Sequence, residues 1–446
     1  MEKKYIRKHF KFGIELELFT LDEKGFMSHE ADALIQEVQK KFPHIDIQKE
    51  CGQNIIEIGC KPHVLIPNIM KQVVQDLQNI LSYAQEQNIF LYPFGTYPGA
   101  FEPQIYEDIR YYAQQKILGD ERFKIAARCT GLHCHYTLPW GVFNYLEKII
   151  RIPLQSKNKQ SMINIYNLFI ALDPLLIAFS QSSPFYQGRY VAKSSRVVMY
   201  RGGEVFQCPE GLFANYKKFG ALPPYILTGT DLVDSIQKRF LEWRSLIEET
   251  GVPIESALKH GSILGLSWNP VRLNAHGTTE QRSMDSNLPS IIVALALLIK
   301  FIAKHIQENF VQVLPSDMSI KTPFKYENNC LYIPPYSYVR DELQPKAAFE
   351  GLQNESVFQY CAVFFQLVKK LMPQNRHYLL LPLENMLKER KSMADKILNK
   401  AKELGVVPEQ GLSNEKAAEL ALFFCREFNE DLQSTFEKLK QFKEDI

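Results

Sequence analysis

Two short segments of the chain each carry a pair of glutamates that could bind a divalent cation. Glu15 and Glu17 alternate with apolar residues, and Glu50 lies seven residues before Glu57. Successive side chains of an extended strand point to opposite faces, so Glu15 and Glu17 share a face while their apolar neighbours are buried on the other. Two adjacent carboxylates repel each other unless a cation neutralises them. The pattern indicates a magnesium site, although an isolated Glu-x-Glu pair is more often a solvated sheet edge.

The same alternation recurs with other ligand types in two later segments. His133 and His135 are separated by one residue, as are Glu280 and Arg282. Imidazole is a good metal ligand, but hydrogen-bonded core histidines fit the spacing equally well. The acid beside an arginine is commonly a surface ion pair. The alternative assigns the carboxylate to a metal and the guanidinium group to phosphate.

Four further arginines stand at loop-like positions. A turn-rich loop over residues 182–189 ends in Arg189, and Arg196, Arg201 and Arg272 follow. Each alone is more often a solvated surface arginine. As a set close to an acidic metal site, they would suit a substrate with carboxylates and a nucleotide with phosphates.

The sequence lacks the common motifs that hold nucleotides or activate nucleophiles. It has no Gly-x-x-x-x-Gly-Lys-Ser/Thr loop, no Gly-x-Gly-x-x-Gly after a strand, no kinase signature and no Gly-x-Ser-x-Gly elbow. If ATP binds to this chain, metals and arginines must therefore hold its phosphates.

The elements that position these residues follow from the apolar patterns. The predicted strands cover 10–20, 44–60, 89–94, 130–138, 263–268 and 277–284. The predicted helices cover 30–42, 62–88, 163–180, 232–250 and 289–310, and the chain is almost entirely helical from Gln344 onward. Residues 183–230 predict a long loop with short strands. We expect one α+β catalytic domain over residues 1–315, with a mostly helical C-terminal section over residues 316–446 packed on it.

Bulk composition is that of an ordinary globular protein. The chain has 446 residues, of which 46% are hydrophobic and 23% charged, and a formal net charge of +2. Because this balance gives no basic surface, nucleic acid is not an expected partner. The eight cysteines are scattered singly and predict reduced thiols. The first ten residues lack the apolar stretch of a signal peptide, and the longest apolar run, Ile291–Ile299, is about half of what a bilayer requires. We therefore expect a cytoplasmic protein without membrane association.

Together and in this order, the segments resemble the glutamate-cysteine ligase family, specifically its second bacterial branch of carboxylate-amine ligases within the glutamine synthetase-like superfamily. The resemblance covers residues 13–286 and rests on five motifs. They are Gly-Ile-Glu-Leu-Glu from residue 13, the acid pair Glu50 and Glu57, Gly-Leu-His-Cys-His from residue 131, Ser-Ser-Pro-Phe-Tyr-Gln-Gly-Arg from residue 182, and Gly-Thr-Thr-Glu-Gln-Arg-Ser-Met-Asp from residue 277.

The resemblance implies a fold and a set of site residues. The fold is α+β, with a glutamine synthetase-like curved antiparallel sheet flanked by helices and a magnesium-binding concave face. The implied metal ligands are Glu15, Glu17, Glu50, Glu57, Glu280 and one of the two candidates His133 and His135. The implied catalytic arginines are Arg282, which would face the transferring phosphoryl group, and Arg189. The implied contacts of the nucleotide or of a carboxylate are Arg196, Arg201 and Arg272.

The implied reaction joins a glutamate-like carboxylate to an amine and uses ATP and Mg²⁺. A carboxylate is a poor acylating agent, so it would attack the γ-phosphate of ATP and form an acyl phosphate, which the amine opens to an amide. Positioning and charge neutralisation would supply most of the catalysis. The expected partners are these small molecules, and the late helices suggest a homodimer.

Departures from the family pattern leave the amine open. Residues 192–201 replace the Thr-Gly-Tyr-Ala-Ser-Tyr-Arg stretch of the family, so the acceptor need not be cysteine. Gln281 and Ser283 are polar where relatives usually have apolar residues. The segment 269–276, which precedes the final strand, is longer than usual for the family. Two other functions fit the same residues: a metal-dependent hydrolase that activates water, and a protein that binds an amino acid or a partner without turnover. The complete set of acids favours an enzyme.

Overall fold

The strands that carry the candidate ligands assemble into one antiparallel sheet. The computed structural model describes residues 10–151, 156–257 and 263–441. The strands are β1 (Phe12–Leu21), β2 (Asp46–Lys49), β3 (Ile55–Gly59), β4 (Phe90–Tyr92), β5 (Gly131–Thr137), β6 (Phe143–Asn144), β7 (Ile149–Ile150), β8 (Phe185–Tyr186), β9 (Arg189–Tyr190), β10 (Val271–Leu273), β11 (Thr278–Asp285), β12 (Gln312–Pro315), β13 (Tyr326–Glu327) and β14 (Cys330–Ile333).

Helices surround this sheet and make up most of the chain after β11. They are α1 (Ala31–Lys41), α2 (Ile66–Glu86), α3 (Ile109–Leu118), α4 (Asp120–Phe123), α5 (Lys157–Ser180), α6 (Ser195–Arg201), α7 (Lys217–Gly220), α8 (Gly229–Thr250), α9 (Ile254–Ala257), α10 (Pro289–Asn309), α11 (Met318–Lys321), α12 (Gln344–Phe349), α13 (Glu355–Leu371), α14 (Leu381–Glu389), α15 (Met393–Glu403) and α16 (Asn414–Lys440).

The main sheet has the strand order β10-β11-β5-β1-β3-β2, and β4 pairs with the end of β1. All of its pairings are antiparallel. On β1 the apolar residues Ile14, Leu16 and Leu18 are buried on one face, which fixes Glu15 and Glu17 on the other. This confirms the predicted α+β fold with an antiparallel sheet flanked by helices.

The two most apolar helices, α5 and α10, pack on each other and on the main sheet. Both are long and apolar enough to cross a membrane, but their most apolar windows are 100% and 78% buried inside the protein. Burial in the core accounts for their composition. Pro289 at the first turn of α10 suits a helix start, because its missing N–H would have no helical partner there.

The C-terminal helices pack on the core helices. Helices α13, α14 and α16 contact α10, and α16 also contacts α2. A small sheet has the strand order β12-β14-β13, with β12 parallel to β14. The predicted boundary between residues 315 and 316 falls between β12 and its partner β14, and the division into two parts stays a prediction.

Three sequence-based predictions need correction. The strand predicted over 263–268 is wrong: residues 263–265 form a short 3-10 turn, and the strand is β10, over Val271–Leu273. The alternating Leu264 and Leu266 are buried by packing around α8 rather than in a sheet. The single strand predicted over 44–60 is a hairpin of β2 and β3, with Glu50 directly after β2. The loop predicted over 183–230 contains short strands as expected, but also helices α6 and α7.

Candidate active site

Strand register brings the predicted ligands together on one face of the sheet. Glu17 on β1 lies opposite Glu57 on β3, and Glu15 lies opposite His133 on β5. On the far side of β5, His135 lies opposite Glu280 of β11, which itself lies opposite Arg272 of β10. Neighbours directly across antiparallel strands are within side-chain contact, so the face carries a continuous row of ionisable groups.

Three groups on this face have ligand atoms close enough to hold a cation, with all atoms of a group within 4.8 Å of one another. They are Glu15 with Glu57 and His133, Glu15 with His135 and Glu280, and Glu17 with Glu50 and Glu57. All seven predicted metal ligands therefore fall into these groups. Glu15 and Glu57 each belong to two groups, so the three positions adjoin one another.

The two histidines lie between the acids of β1 and β11. His133 Nδ1 is 3.2 Å from Glu15 Oε2, and its Nε2 is 3.6 Å from Glu17 Oε1. Burial and the nearby Arg282 lower the pKa of His133 to about 3, so this imidazole is neutral. His135 Nε2 is 3.3 Å from Glu15 Oε2. Burial lowers the pKa of His135, but the charges of Glu15 and Glu280 outweigh it and raise the pKa above its ordinary value.

The group formed by Glu17, Glu50 and Glu57 consists of carboxylates alone. Burial and the charge of Glu50 raise the pKa of Glu17 to about 8, although Glu17 accepts a 2.6 Å hydrogen bond from the Gly131 N–H. Like charges that crowd a buried carboxyl favour its protonated form. A divalent cation at this position would relieve the repulsion, and an all-oxygen ligand set is what Mg²⁺ prefers.

Two arginines hold the carboxylate of Glu280. Arg272 donates to it through Nε at 2.7 Å and Nη2 at 3.1 Å, and Arg282 Nη1 also donates to it. Asn274 is a third donor residue, with its amide nitrogen 3.0 Å from the Glu280 carboxylate. Burial raises the pKa of Glu280, but Arg272 and Arg282 together bring it well below its usual value. A metal ion at Glu280 would have to compete with both guanidinium groups.

Arg196 reaches the same region from α6. Its Nη2 donates to the Arg282 carbonyl at 3.4 Å, and its Nη1 lies 3.9 Å from Asp285. A side chain at Gly131 would collide with the Arg196 guanidinium group, so the glycine allows the arginine to lie against β5. Arg196 is therefore a third cation beside the metal groups.

A cavity of about 270 Å³ lies over this face. Its polar lining includes Glu15, Glu17, Glu50, Glu57, His133, Arg196, Arg272, Asn274 and Arg282. Helices α3, α8 and α9 and the segment around residue 266 supply an apolar lining. Trp268 stacks on Phe213 with ring centroids 5.7 Å apart and meets Trp243 edge-on at 5.0 Å. The cavity thus combines a charged sheet face with aromatic walls, as is typical of sites for small molecules.

Two predicted arginines lie elsewhere. Arg189 is exposed on the hairpin of β8 and β9 and does not line the cavity. Arg201 is buried and forms a bidentate pair with Asp173, with both Nη–Oδ distances 2.8 Å, so its charge is neutralised away from the cavity. Neither arginine is placed to contact a substrate in this cavity.

Sequence reasoning missed two structural roles near the site. Asn274 binds both Glu280 and His135 Nδ1, but no motif marks it. Asp285, the last residue of β11, accepts hydrogen bonds from Ser183 at 2.6 Å and from Ser194 at 3.2 Å. Asp285 and Ser183 belong to two of the quoted motifs, so the motifs themselves could have indicated a role for these residues. These hydrogen bonds join β11 to the segment that carries Arg196.

Comparison with known proteins identifies the family of the chain. The family model for glutamate-cysteine ligase family 2 (GCS2) matches residues 11–330. A protein named "Putative glutamate--cysteine ligase 2" from Chloroflexus aurantiacus is 26% identical over 194 residues, which is 43% of this chain and 45% of that protein. A protein of the same name from Roseiflexus sp. is 23% identical over 248 residues, which is 53% of this chain and 57% of that protein. The alignments thus span about half the length of these curated relatives.

Two solved structures share the fold. A glutamate-cysteine ligase from Francisella tularensis in complex with AMP has a TM-score of 0.56 at 13% identity, covering 97% of this chain and 92% of that one. A bifunctional glutathione synthetase from Pasteurella multocida has a TM-score of 0.57 at 12% identity, covering 96% of this chain and 54% of that one. At these identities the likeness concerns the fold alone. With a family model that matches residues 11–330, the chain belongs to glutamate-cysteine ligase family 2.

Proposed function

We propose that the protein is an ATP- and Mg²⁺-dependent carboxylate-amine ligase that activates a glutamate-like γ-carboxylate. The observation that carries the proposal is the single sheet face on which three adjoining cation groups lie beside Arg196, Arg272 and Arg282, with two of the groups lining one cavity together with these arginines. Family membership supports the same reaction class. The amine acceptor is left open, because the segment over 192–201 differs from the family pattern.

The residues fit magnesium best at the group of Glu17, Glu50 and Glu57. This group offers carboxylate oxygens only, and burial together with the charge of Glu50 raises the pKa of Glu17, so a cation would favour the ionised carboxylate there. Glu57 also belongs to the group of Glu15 and His133, so a second ion could adjoin the first. Bound magnesium would neutralise the phosphate charge that develops during transfer.

The arginines suit the phosphates and the transferring phosphoryl group. Arg282 keeps its charge, since the charge of Glu280 raises its pKa further in spite of burial. Glu280, which also accepts a hydrogen bond from Asn274, holds Arg272 and Arg282 in fixed positions, which lowers the cost of ordering these side chains when phosphate binds. The aromatic walls would exclude water from the reacting carboxylate.

We further propose that the substrates are small molecules and that the protein works in the cytoplasm. The two apolar helices are accounted for by burial in the core. A homodimer formed through the C-terminal helices remains part of the proposal and can be checked by measuring the mass in solution.

A metal-dependent hydrolase is the second candidate. Two of the three cation groups include an imidazole, a ligand that Zn²⁺ accepts readily. A hydrolase would need no phosphate-binding arginines, whereas three arginines adjoin the metal groups here. The ligase therefore accounts for more of the site.

The test is incubation with ATP, Mg²⁺, L-glutamate and hydroxylamine, with ADP and γ-glutamyl hydroxamate as the measured products. We expect ADP release that depends on the amino acid, together with hydroxamate. Arg282→Ala should lose both products, while Arg244→Ala should keep them, because Arg244 is exposed on α8 and pairs with Glu248. No ATP turnover across a broad panel of carboxylates and amines would refute the ligase, and metal-dependent hydrolysis of an amide without ATP would favour the second candidate.

A further inference from the structure

A buried polar network lies behind β11, on the side of the sheet away from the cavity. Its centre is Asp173 in the middle of α5, which has no exposed surface. Asp173 accepts two hydrogen bonds from Arg201, one from Gln344 Nε2 at 2.6 Å and one from the Ser283 hydroxyl. Four donors from three separate parts of the chain thus converge on one carboxylate.

The network ends directly beside Arg282. Its neighbours Gln281 and Ser283 are fully buried: Gln281 donates to the Phe169 carbonyl of α5 at 3.1 Å, and Ser283 donates to Asp173. The pairing of β11 with β5 shifts register between Gln281 and Met284, whereas on the other side of β11 the Arg282 N–H donates to the Pro270 carbonyl at 2.7 Å and continues the pairing with β10. Pairing with β5 is therefore irregular beside Arg282, and the bonds of Gln281 and Ser283 to α5 add a constraint on this part of β11.

The same network reaches the C-terminal helices. Gln344 begins α12, which lies beyond the family match over 11–330. Near Asp173, Pro174 interrupts the hydrogen-bond ladder of α5, and Tyr360 of α13 donates to the Ala171 carbonyl at 2.8 Å. The irregular part of α5 is therefore the place where β11 and the C-terminal section meet.

Stability alone does not explain a charged centre at this position. A buried ion pair is often no more stabilising than well-packed apolar residues, whereas a network with every donor satisfied specifies one geometry. A displacement of about 1 Å at a reacting group can cost about 100-fold in rate. Polar residues at 281 and 283 thus gain a role where Arg282 lies at the register shift between β11 and β5.

We propose that Asp173, acting through Ser283, positions Arg282 for contact with the transferring phosphoryl group, and that Gln344 makes the C-terminal section part of this arrangement. This inference rests on the proposed ligase function. Asp173, Ser283 and Gln344 are positioning residues, since none of them lines the cavity.

The test compares Ser283→Ala with Ser290→Ala. Ser290 on α10 also donates to an aspartate, Asp431 of α16 at 2.6 Å, but it is not connected to β11 by this network. We expect Ser283→Ala to lower kcat for hydroxamate formation by about 10-fold, through a misplaced Arg282, with the KM for glutamate changed less than about 2-fold. Ser290→Ala should leave both constants within about 2-fold, and the melting temperatures of the two variants should be similar.

A second measurement separates positioning from general loosening of the fold. The dissociation constant for a non-hydrolysable ATP analogue is measured for Ser283→Ala alone and in an Arg282→Ala background. If Ser283 acts through Arg282, Ser283→Ala should weaken binding of the analogue when Arg282 is present and have no effect on it in the Arg282→Ala background. Additive effects of the two substitutions would overturn the proposal.

The two levels of inference fail in different ways. A wild-type protein that forms no hydroxamate refutes the proposed function without any variant. An active wild type whose Ser283→Ala variant matches Ser290→Ala refutes the positioning role and leaves the ligase standing.

Discussion

Glu57 belongs to two of the three candidate cation groups, so Glu57→Gln tests the metal assignment at two positions at once. The substitution keeps the size of the side chain and one oxygen ligand but removes a charge. Two unit charges about 4 Å apart interact by about 4 kcal/mol at an effective dielectric constant of about 20. The retained oxygen and the relief of repulsion offset part of this loss. We expect Mg²⁺ binding to weaken by about 2–4 kcal/mol, or roughly 30- to 1,000-fold.

The fold should not suffer from the same change. Glu57 faces Glu17 directly across β1 and β3, and like charges at such positions destabilise a sheet by up to about 1 kcal/mol. The metal-free Glu57→Gln protein should therefore melt at the wild-type temperature or slightly above it, but gain less stability from added Mg²⁺.

Calorimetric titration with Mg²⁺ and thermal melting with and without Mg²⁺ measure both effects. Glu419→Gln is the control, since Glu419 is exposed on α16 and pairs with Lys416. Wild-type Mg²⁺ affinity in Glu57→Gln would refute the metal assignment. A large fall in the melting temperature without metal would show that Glu57 has a structural role instead.

Three further predictions concern other parts of the molecule. Arg282→Ala should lower turnover by about 1,000-fold or more, as expected for an arginine that stabilises a transferring phosphoryl group, while an effect below about 10-fold in steady-state kinetics would exclude that role. Lys300 is buried on α10. Burial lowers the pKa of Lys300 to about 7; the charge of Lys304 adds to this shift and the charge of Glu308 opposes it. Between about pH 7 and 10, Lys300 is then protonated in the unfolded chain but mostly neutral in the folded one. The free energy of unfolding should therefore rise with pH in this window by up to about 1.4 kcal/mol per pH unit, and fall as the pH drops towards 7. Lys300→Met should remove that slope in urea titrations at pH 7 and pH 9, and an unchanged slope would contradict the assignment. Trp243 and Trp268 line the cavity whereas Trp140 is exposed, so ADP should change the tryptophan fluorescence equally in wild type and in Trp140→Phe, and loss of the signal in that variant would place the nucleotide elsewhere.

Much of the site face followed from the sequence because period-2 alternation is a local property. The apolar Ile14 and Leu16 must be buried, which leaves Glu15 and Glu17 on the opposite face whatever their neighbours are. The same reasoning placed the histidines of β5. What local pattern could not give was the register that sets Glu17 against Glu57 and Glu15 against His133, because it depends on strands far apart in the sequence.

The structure places all the predicted acids on the site face but not all the predicted arginines. The sequence around Arg201 does not reveal that Asp173, 28 residues earlier, neutralises it inside the core. Arg189 belongs to a motif but ends on an exposed hairpin. Long, flexible side chains find partners through tertiary packing, so strand periodicity does not fix their positions. By contrast, the polar Gln281 and Ser283, noted in the sequence as departures from the family, are explained by their bonds to α5.

The central claim is that one face of the sheet binds divalent cations and the phosphates of ATP together. Anomalous diffraction from crystals soaked with Mn²⁺ and a non-hydrolysable ATP analogue tests it most directly. We predict anomalous peaks bounded by Glu17, Glu50 and Glu57 and by Glu15, Glu57 and His133, with the γ-phosphate next to Arg282. Crystals that bind the analogue elsewhere, or that show no peak on this face, would contradict the claim.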